Sequence, residues 1–578
     1  MRFAASLLVA AFAAVALGLA LAFAGGGLSA TPSALALIGG AAAGAFAFRG
    51  MPREPSAARK LHPVEWLVIG IFALASLRAF LWLCYVKSEE LHILSPNNLG
   101  DLPLHMDFIR YLASGVRFWP ESPILSGETL KYPIGADFFN SLLLDSGLPL
   151  EQGLVWVGLA GAALTGAALW RWGRGFAIAA FIFGGGLAGF ALLHDYDALS
   201  GQAPLPDFQS KAEWKNLFLA LFVTQRALLF ALPAGLFLLD HWRSRYLRGE
   251  RGLLPGWAAL LLYATLPLYN VHAFLTLSVI LAGMFAFARD TAARRESLLF
   301  VAISFLPAAL CAALVTGGFS AGGGVHWEPG WQQPKEGGFI SHVWFWLREF
   351  GLYLVLWAAL AVAAIVRGPR ETRAIVLPAT AMFLVSCFVS FAPWPWDNTK
   401  IMLWCWLAVA PCLWSDFLKP LHVAARIAVC IALFFTGAIS LAAGLDSRHD
   451  YSVVDISYVR EAASAVKNLP AESRFACAPE YWHPLLILGR KIAVGYDGHL
   501  WSHGLTYNGK NADKILEFQN LMLGGPGWEE SARKLDVDYI YWGNPEEDRY
   551  PGSLKPWENK LRIAAQGPDF AIYALPPR

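Results

Sequence analysis

The sequence predicts a mainly α protein: a polytopic helical membrane bundle of about thirteen transmembrane helices, followed by an extracytoplasmic α/β domain. Three observations lead there. The 578-residue chain is 56% hydrophobic and only 15% charged, so lipid rather than water is its main solvent, which excludes an ordinary soluble enzyme. Apolar runs of about 20 residues, the length that crosses a hydrocarbon layer, recur along most of the chain. Beyond residue 444 the composition turns ordinary and soluble, which divides the chain into a membrane domain at 1–444 and an outer domain at 445–578.

In order, the apolar runs lie near 4–24, 31–48, 63–86, 154–171, 175–193, 215–240, 298–316, 350–366, 374–392, 400–418 and 426–444. The stretch 257–288 is long enough for two short or broken helices split around Pro267 and Asn270. Lys and Arg near short loops are retained on the cytoplasmic side. Arg49, Arg53, Arg59 and Lys60 follow the second run, and later clusters contain Arg171 and Arg174, then Arg243, Arg245, Arg248 and Arg251, then Arg289, Arg294 and Arg295, then Arg367, Arg370 and Arg373. All of them fall on one side if 257–288 crosses twice, which puts the N-terminus inside, the C-terminus outside and the chain in the cell's inner or plasma membrane. Residues 1–24 read either as a retained helix or as a cleaved signal, with Arg2 as its basic start and AFAGG as a cleavage zone. The 24 tryptophans suit the aromatic belts of a bilayer interface.

Long outer segments then span 87–150, 317–348 and everything after about 445, with a shorter one at 194–214. In the tail, 455–469 has the period of an amphipathic helix, RFACAPE and KIAVGYD read as strands, 510–535 as helical, and VDYIYWG and FAIYAL as strands. No Lys/Arg block is dense enough for nucleic acid. The seven cysteines include no CxxC pair, so neither a disulfide framework nor a zinc site is indicated, and no metal ligand is assigned.

The first outer segment opens with NNLGDLPLHMDFIR. Pro103 marks a helix start, with Asp101 or Leu102 as its boundary; Asp101 is then either a plain N-cap or a reactive carboxylate sharing a face with His105, four residues on. Asp107 lies off that face and reads as a surface or supporting carboxylate. The loop continues through VRFWPESPILSGETLKYPIG, carrying Tyr132, and an irregular loop of this length is seldom a mere connection. Arg226, in TQRALLF, sits half way along its apolar run, where an arginine costs about 2.5–3.5 kcal/mol to insert; it therefore faces a cavity, a carboxylate or a bound anion. In WPWDNTK, Asp397 and Asn398 are positioned to cap the following helix, with Lys400 pointing toward the headgroups. Asn270 and His272 interrupt an apolar segment where broken helices line polar cavities, a hydrogen-bonded structural histidine being the alternative. GRKIAVGYDGHLWSHG brings Tyr496, Asp497, His499, Trp501 and His503 to a strand end, a mixture that suits a sugar or headgroup; metal binding by the two histidines lacks a third ligand.

Taken together, GDLPLHMDFIRYLASG, LKYPIG, TQRALLFALP, WDNTK and GYDGHLWSHG, with a long first outer loop and a C-terminal outer domain, resemble the GT-C superfamily of membrane glycosyltransferases. The resemblance implies transfer of a sugar from a polyprenyl-phosphate donor to an extracytoplasmic acceptor (glycan, protein or lipid) with inversion. It implies Asp101 as general base assisted by His105, and Arg226, Lys400 and Arg110 as contacts to the donor phosphate. Substrate contacts would come from Asp107, Tyr132, Asp397, Asn398, Asn270, His272, Tyr496, Asp497, His499, Trp501 and His503. The acidic pair common in several members is here Asp101 with Leu102, the next carboxylate being Asp107. No cofactor is required by the sequence, a divalent cation being the one candidate. The rival classes are a transporter or flippase of a lipid-linked or small polar substrate, whose ionisable groups would gather at the bilayer midplane, and a non-catalytic membrane assembly protein.

Overall fold

The computed structural model describes all residues except 54–60, 95–97, 201–204, 206–211, 319–323 and 578. Arg59 and Lys60, two of the expected orienting cations, lie outside the described residues. The chain is mostly helical, and among the described residues eight helices are long and apolar enough to cross a membrane: Arg2–Gly25, Ala30–Gly50, Pro63–Leu81, Leu150–Ile182, Thr291–Thr316, Phe339–Arg367, Pro395–Leu418 and Val423–Gly444. Two shorter apolar helices, Gly256–Leu268 and Val271–Ala286, divide 257–288 at Pro267 and Asn270, where the sequence predicts a break.

Three expected segments come out differently. Runs 154–171 and 175–193 are not separated by a loop: helix Leu150–Ile182 is continuous apart from a kink at Gly173 and Arg174, and the Arg174 guanidinium is locked to Glu65 at 2.8 and 2.9 Å. Its second half ends early, in the glycine run 184–186, because the backbones pack closely: a Cβ on Gly186 would stand 1.7 Å from the Arg348 carbonyl oxygen. Run 215–240 is interrupted at 224–227, between a π-helical turn, Phe218–Val223, and helix Leu228–Trp242. Arg226 occupies that interruption. Run 63–86 gives way after Leu81 to a hairpin of Tyr85–Lys87 and Glu90–Ile93, turned by Ser88 and Glu89, both at positive φ.

Helices Leu228–Trp242 and Thr399–Cys412 are buried on nearly every side and form the centre of the bundle. Thr291–Thr316 shows Leu299, Phe305, Leu306 and Leu310 more than half exposed, the surface a bilayer would cover. The basic clusters gather in space: Arg243 and Arg248 share Glu371, Arg171 meets Asp240 at 2.6 Å, and Arg370 donates to the Arg289 carbonyl.

After Gly444 the chain builds a five-stranded mixed sheet in the order Lys491–Ile492, Arg474–Ala476, Tyr539–Gly543, Phe570–Ala574, Arg562–Gln566. The first three strands are parallel and the last two antiparallel; helix Ile456–Val466 precedes them in sequence, and helices Ala512–Leu523 and Trp528–Lys534 fall between Lys491–Ile492 and Tyr539–Gly543. Strand Tyr451–Asp455 joins the Tyr85–Ile93 hairpin in a separate three-stranded antiparallel sheet. Asp450 reinforces that junction, accepting from the Tyr85 hydroxyl, the Lys87 ammonium and the His92 ring, each at 2.6 Å, and these donors hold its carboxyl well below the usual carboxylate range.

Candidate active site

The site is built on helix Asn98–Ala113. It starts three residues before Asp101, so Asp101 is no N-cap: it lies in the first turn, and Pro103 sits inside the helix. Tertiary contact overrides the proline signal, since Asn98 is 2% exposed and His499 Nε2 lies 3.0 Å from the Gly100 carbonyl oxygen. Only one main-chain bond is forfeited by a proline this close to a helix start.

Asp101 and His105 share a face, as a four-residue spacing requires. Asp101 Oδ2 accepts from Gln225 at 2.9 Å, which ties it to the interrupted segment carrying Arg226. Burial pushes the Asp101 carboxyl above its ordinary value, while the nearby charges of His105 and Lys400 oppose that shift and Asp397 adds to it. Asp101, His105, Asp397 and Lys400, from three separate elements, therefore act on one another electrostatically. His105 Nδ1 is 3.0 Å from both carboxylate oxygens of Asp137, each side chain being 1% exposed. Asp137 stands in the first turn of helix Gly135–Asp145, whose Ser141 hydroxyl donates to the Ile109 carbonyl and clamps these two helices together.

The tail contributes one wall. His499 and His503 stack at 6.3 Å, and the Tyr132 ring lies 4.9 Å from His503 and 6.0 Å from His105. Burial keeps both histidines neutral, His499 down at about 4 and His503 at about 3, with His105 and, for His503, Lys400 adding to the effect. His272, at the start of Val271–Ala286, feels Lys400 and Asp397 and so borders the same cluster.

Lys400 pairs with Asp397 at 3.0 Å, both side chains under one-fifth exposed, so it faces the cluster and not the headgroups. Neither Asp397 nor Asn398 makes a side-chain cap to the following helix. The Asn398 amide instead donates to the Ser386 and Val389 carbonyls and accepts from Phe391 N, and a group so occupied holds a loop together. Asn270, in contrast, is a true helix cap, accepting from Ala273 N at 2.7 Å. Arg226 lies beneath the cluster: one Nη donates to the Leu154 carbonyl at 3.1 Å, Nε and the other Nη are buried without a partner, and its charge is felt with that of Asp137. Arg110 is nine residues from Asp101, about 13 Å along a helix, and pairs with Glu151 at 3.3 Å. Asp107 is no surface group: it is 0% exposed, neither oxygen has a partner, and burial holds its carboxyl well above the ordinary value. Tyr496, Asp497 and Trp501 are on the tail segment but turned elsewhere, the first two into a separate cleft and Trp501 toward Tyr507.

Two participants escape the sequence reading. Asp137 has no place among the sequence candidates, although it is the one carboxylate in YPIGADFFN. Gln225 was overshadowed by its neighbour, although Thr224, Gln225 and Arg226 together form a polar break in an apolar run.

The chain is similar in structure to membrane oligosaccharyltransferases. It resembles the Archaeoglobus fulgidus oligosaccharyltransferase tethered with an acceptor peptide at 13% identity and TM-score 0.41, over 86% of this chain and 72% of that one. It also resembles AglB of that organism in complex with an inhibitory peptide and a dolichol-phosphate (13%, 0.39, 85% and 71%), and ArnT from Cupriavidus metallidurans bound to undecaprenyl phosphate (12%, 0.39, 89% and 98%). At these identities and scores the likenesses assign no residue a role. No protein-family model matches the chain, and no curated protein matches it in sequence.

Among the described residues, the group of three that brings metal-ligand atoms within 4.8 Å of one another is Cys477, His483 and Glu546, away from Asp101. Its bonds are already internal. His483 Nδ1 accepts from Leu485 N at 3.2 Å, so Nε2 carries the proton and donates to Glu546 Oε1 at 3.0 Å; Glu546 also accepts from Ala478 N and Gly543 N. This arrangement clamps the loop 478–482 between its ends.

Proposed function

We propose that the protein is an integral-membrane glycosyltransferase that moves a sugar from a polyprenyl-phosphate donor to an extracytoplasmic hydroxyl acceptor. The observation that carries the proposal is the shared electrostatic neighbourhood of Asp101 and Lys400, a carboxylate and an ammonium from distant parts of the chain, walled by neutral imidazoles. Such a pair supplies the two functions that glycosyl transfer needs. Asp101, as carboxylate, takes the acceptor proton while that oxygen attacks the anomeric carbon. The carbon–oxygen bond to the phosphate breaks on the opposite side, so configuration inverts, and Lys400 stabilises the departing phosphate anion. His105, held by Asp137, positions the Asp101 side of the cluster; Arg226 acts through Asp137 and Arg110 not at all.

Among the described residues Asp101, His105, Asp397, Lys400, His499 and His503 gather in one cluster drawn from helix Asn98–Ala113, the 397–400 segment and the tail, and not in two related sets on broken helices, which supports transfer over transport. In proteoliposomes, radiolabelled sugar should pass from a polyprenyl-phosphate donor with the wild-type protein, and Asp101→Asn should lower turnover by about 10²–10⁴-fold. Asn still accepts the Gln225 hydrogen bond, so the fold survives. Uptake without transfer, or unchanged transfer by the variant, sinks the proposal.

A further inference from the structure

A cleft of about 660 Å³ opens in the C-terminal region, lined by Glu480, Tyr481, Trp482, Tyr496, Asp497 and Arg549 among others. Its size falls within the range of about 300–1,000 Å³ typical of small-molecule sites. Tyr481 and Tyr496 meet edge to face at 4.8 Å, and Tyr496 remains 38% exposed, so ring surface is presented beside carboxylates. Trp482, 9% exposed, lines the cleft with an indole N–H that has no partner. The wall itself is rigid, because the His483–Glu546 clamp fixes both ends of the loop carrying Glu480, Tyr481 and Trp482.

Charge narrows the occupant. Two carboxylates, Glu480 and Asp497, face one guanidinium, Arg549. Glu480 also borders a neighbouring cavity lined by Asp455, Glu461, Asp548 and Asp569. The field repels phosphates, sulfates and uronates. Apolar ring faces from Tyr481 and Tyr496, with carboxylate acceptors and the Gln519 amide and Arg549 guanidinium as donors, match a polyol that carries no negative charge. The cleft neighbours the Asp101 cluster across one layer of side chains: Tyr496 lies 5.3 Å from His499, and His499 reaches the Gly100 carbonyl, one residue from Asp101.

We propose that this cleft is the acceptor subsite and that it takes an uncharged or amino-bearing glycan. Its role as acceptor site rests on the glycosyltransferase reading; glycan binding stands on the cleft alone. The test is saturation-transfer NMR on the full-length protein in nanodiscs. The probes are neutral trisaccharides of glucose, mannose, galactose and N-acetylglucosamine, together with the glucosamine trisaccharide and trigalacturonate. At least one neutral or amino trisaccharide should bind with a dissociation constant of millimolar order or tighter, and trigalacturonate should not. Tyr496→Ala and Asp497→Ala, both at the accessible rim, should each weaken binding about tenfold. Absence of binding across the panel, preference for the uronate, or indifference to both rim substitutions overturns the assignment. Binding retained in a protein that transfers no sugar overturns the transferase reading and leaves the glycan site standing.

Discussion

Replacing Asp137 by Asn removes a negative charge from the most enclosed part of the site without removing the hydrogen bond it makes. Asp137 and His105 are each 1% exposed, and the Asn oxygen still accepts from His105 Nδ1–H. The loss therefore falls on Arg226, itself 1% exposed, with two guanidinium nitrogens unpartnered and the Asp137 carboxylate as the acidic charge acting on it. Removing one member of a buried charge pair typically costs about 3–5 kcal/mol, because an uncompensated charge stays behind, whereas replacing both by neutral groups of similar volume is close to neutral. Asp137→Asn and Arg226→Met should each lose about 3 kcal/mol, and the double variant should lose less than either alone. The assay is a double-mutant cycle of SDS-titrated unfolding in mixed micelles, followed by tryptophan fluorescence. Single losses that add to within about 0.5 kcal/mol would show that Arg226 does not balance Asp137, and the account of this arginine would fall.

Lys400→Ala should reduce turnover by about 10²–10³-fold, the usual loss when one group stabilising a developing anion is deleted. It should also move the acid limb of the Asp101-dependent rate to higher pH, since the Lys400 charge holds that carboxyl down against burial; a rate–pH profile with an unmoved limb refutes the coupling. His499 and His503 are depressed on folding to about 4 and about 3, so the unfolded chain protonates first. Stability should be full above about pH 6.5 and fall as pH drops toward those values, by at most about 1.4 kcal/mol per group per pH unit. Thermal unfolding between pH 7.5 and 5 checks this, and a His499→Gln/His503→Gln protein should show a flatter dependence.

The bundle was legible because an apolar run of sufficient length has few alternatives to a helix, and Pro267 with Asn270 broke one segment where expected. Strands such as Tyr539–Gly543 were legible by their aromatic and β-branched content. The Tyr85–Ile93 hairpin was not, because its turn uses Ser88 and Glu89 in the left-handed region where Asn-Gly would have signalled it, and its first residues blend into the preceding apolar run. At the site, Asp101, His105 and Lys400 stood out as polar groups beside long apolar stretches. What the sequence could not convey was orientation: Asp107 and Arg110 share the helix of Asp101, yet one is sealed in the core and the other is bound to Glu151. Asn398 illustrates the same limit, its amide being consumed by main-chain carbonyls that only the folded turn brings near it.

Strand Glu90–Ile93 finds its second partner at Tyr451–Asp455, and the Gly100 carbonyl meets a histidine at position 499. A ribosome-bound chain that has delivered its first outer loop must therefore wait for nearly all the remaining helices to insert before that loop can settle. Forms ending before residue 450 lack both the imidazole wall and the hairpin's second partner, so the proposed transfer at Asp101 requires a chain synthesised through His503.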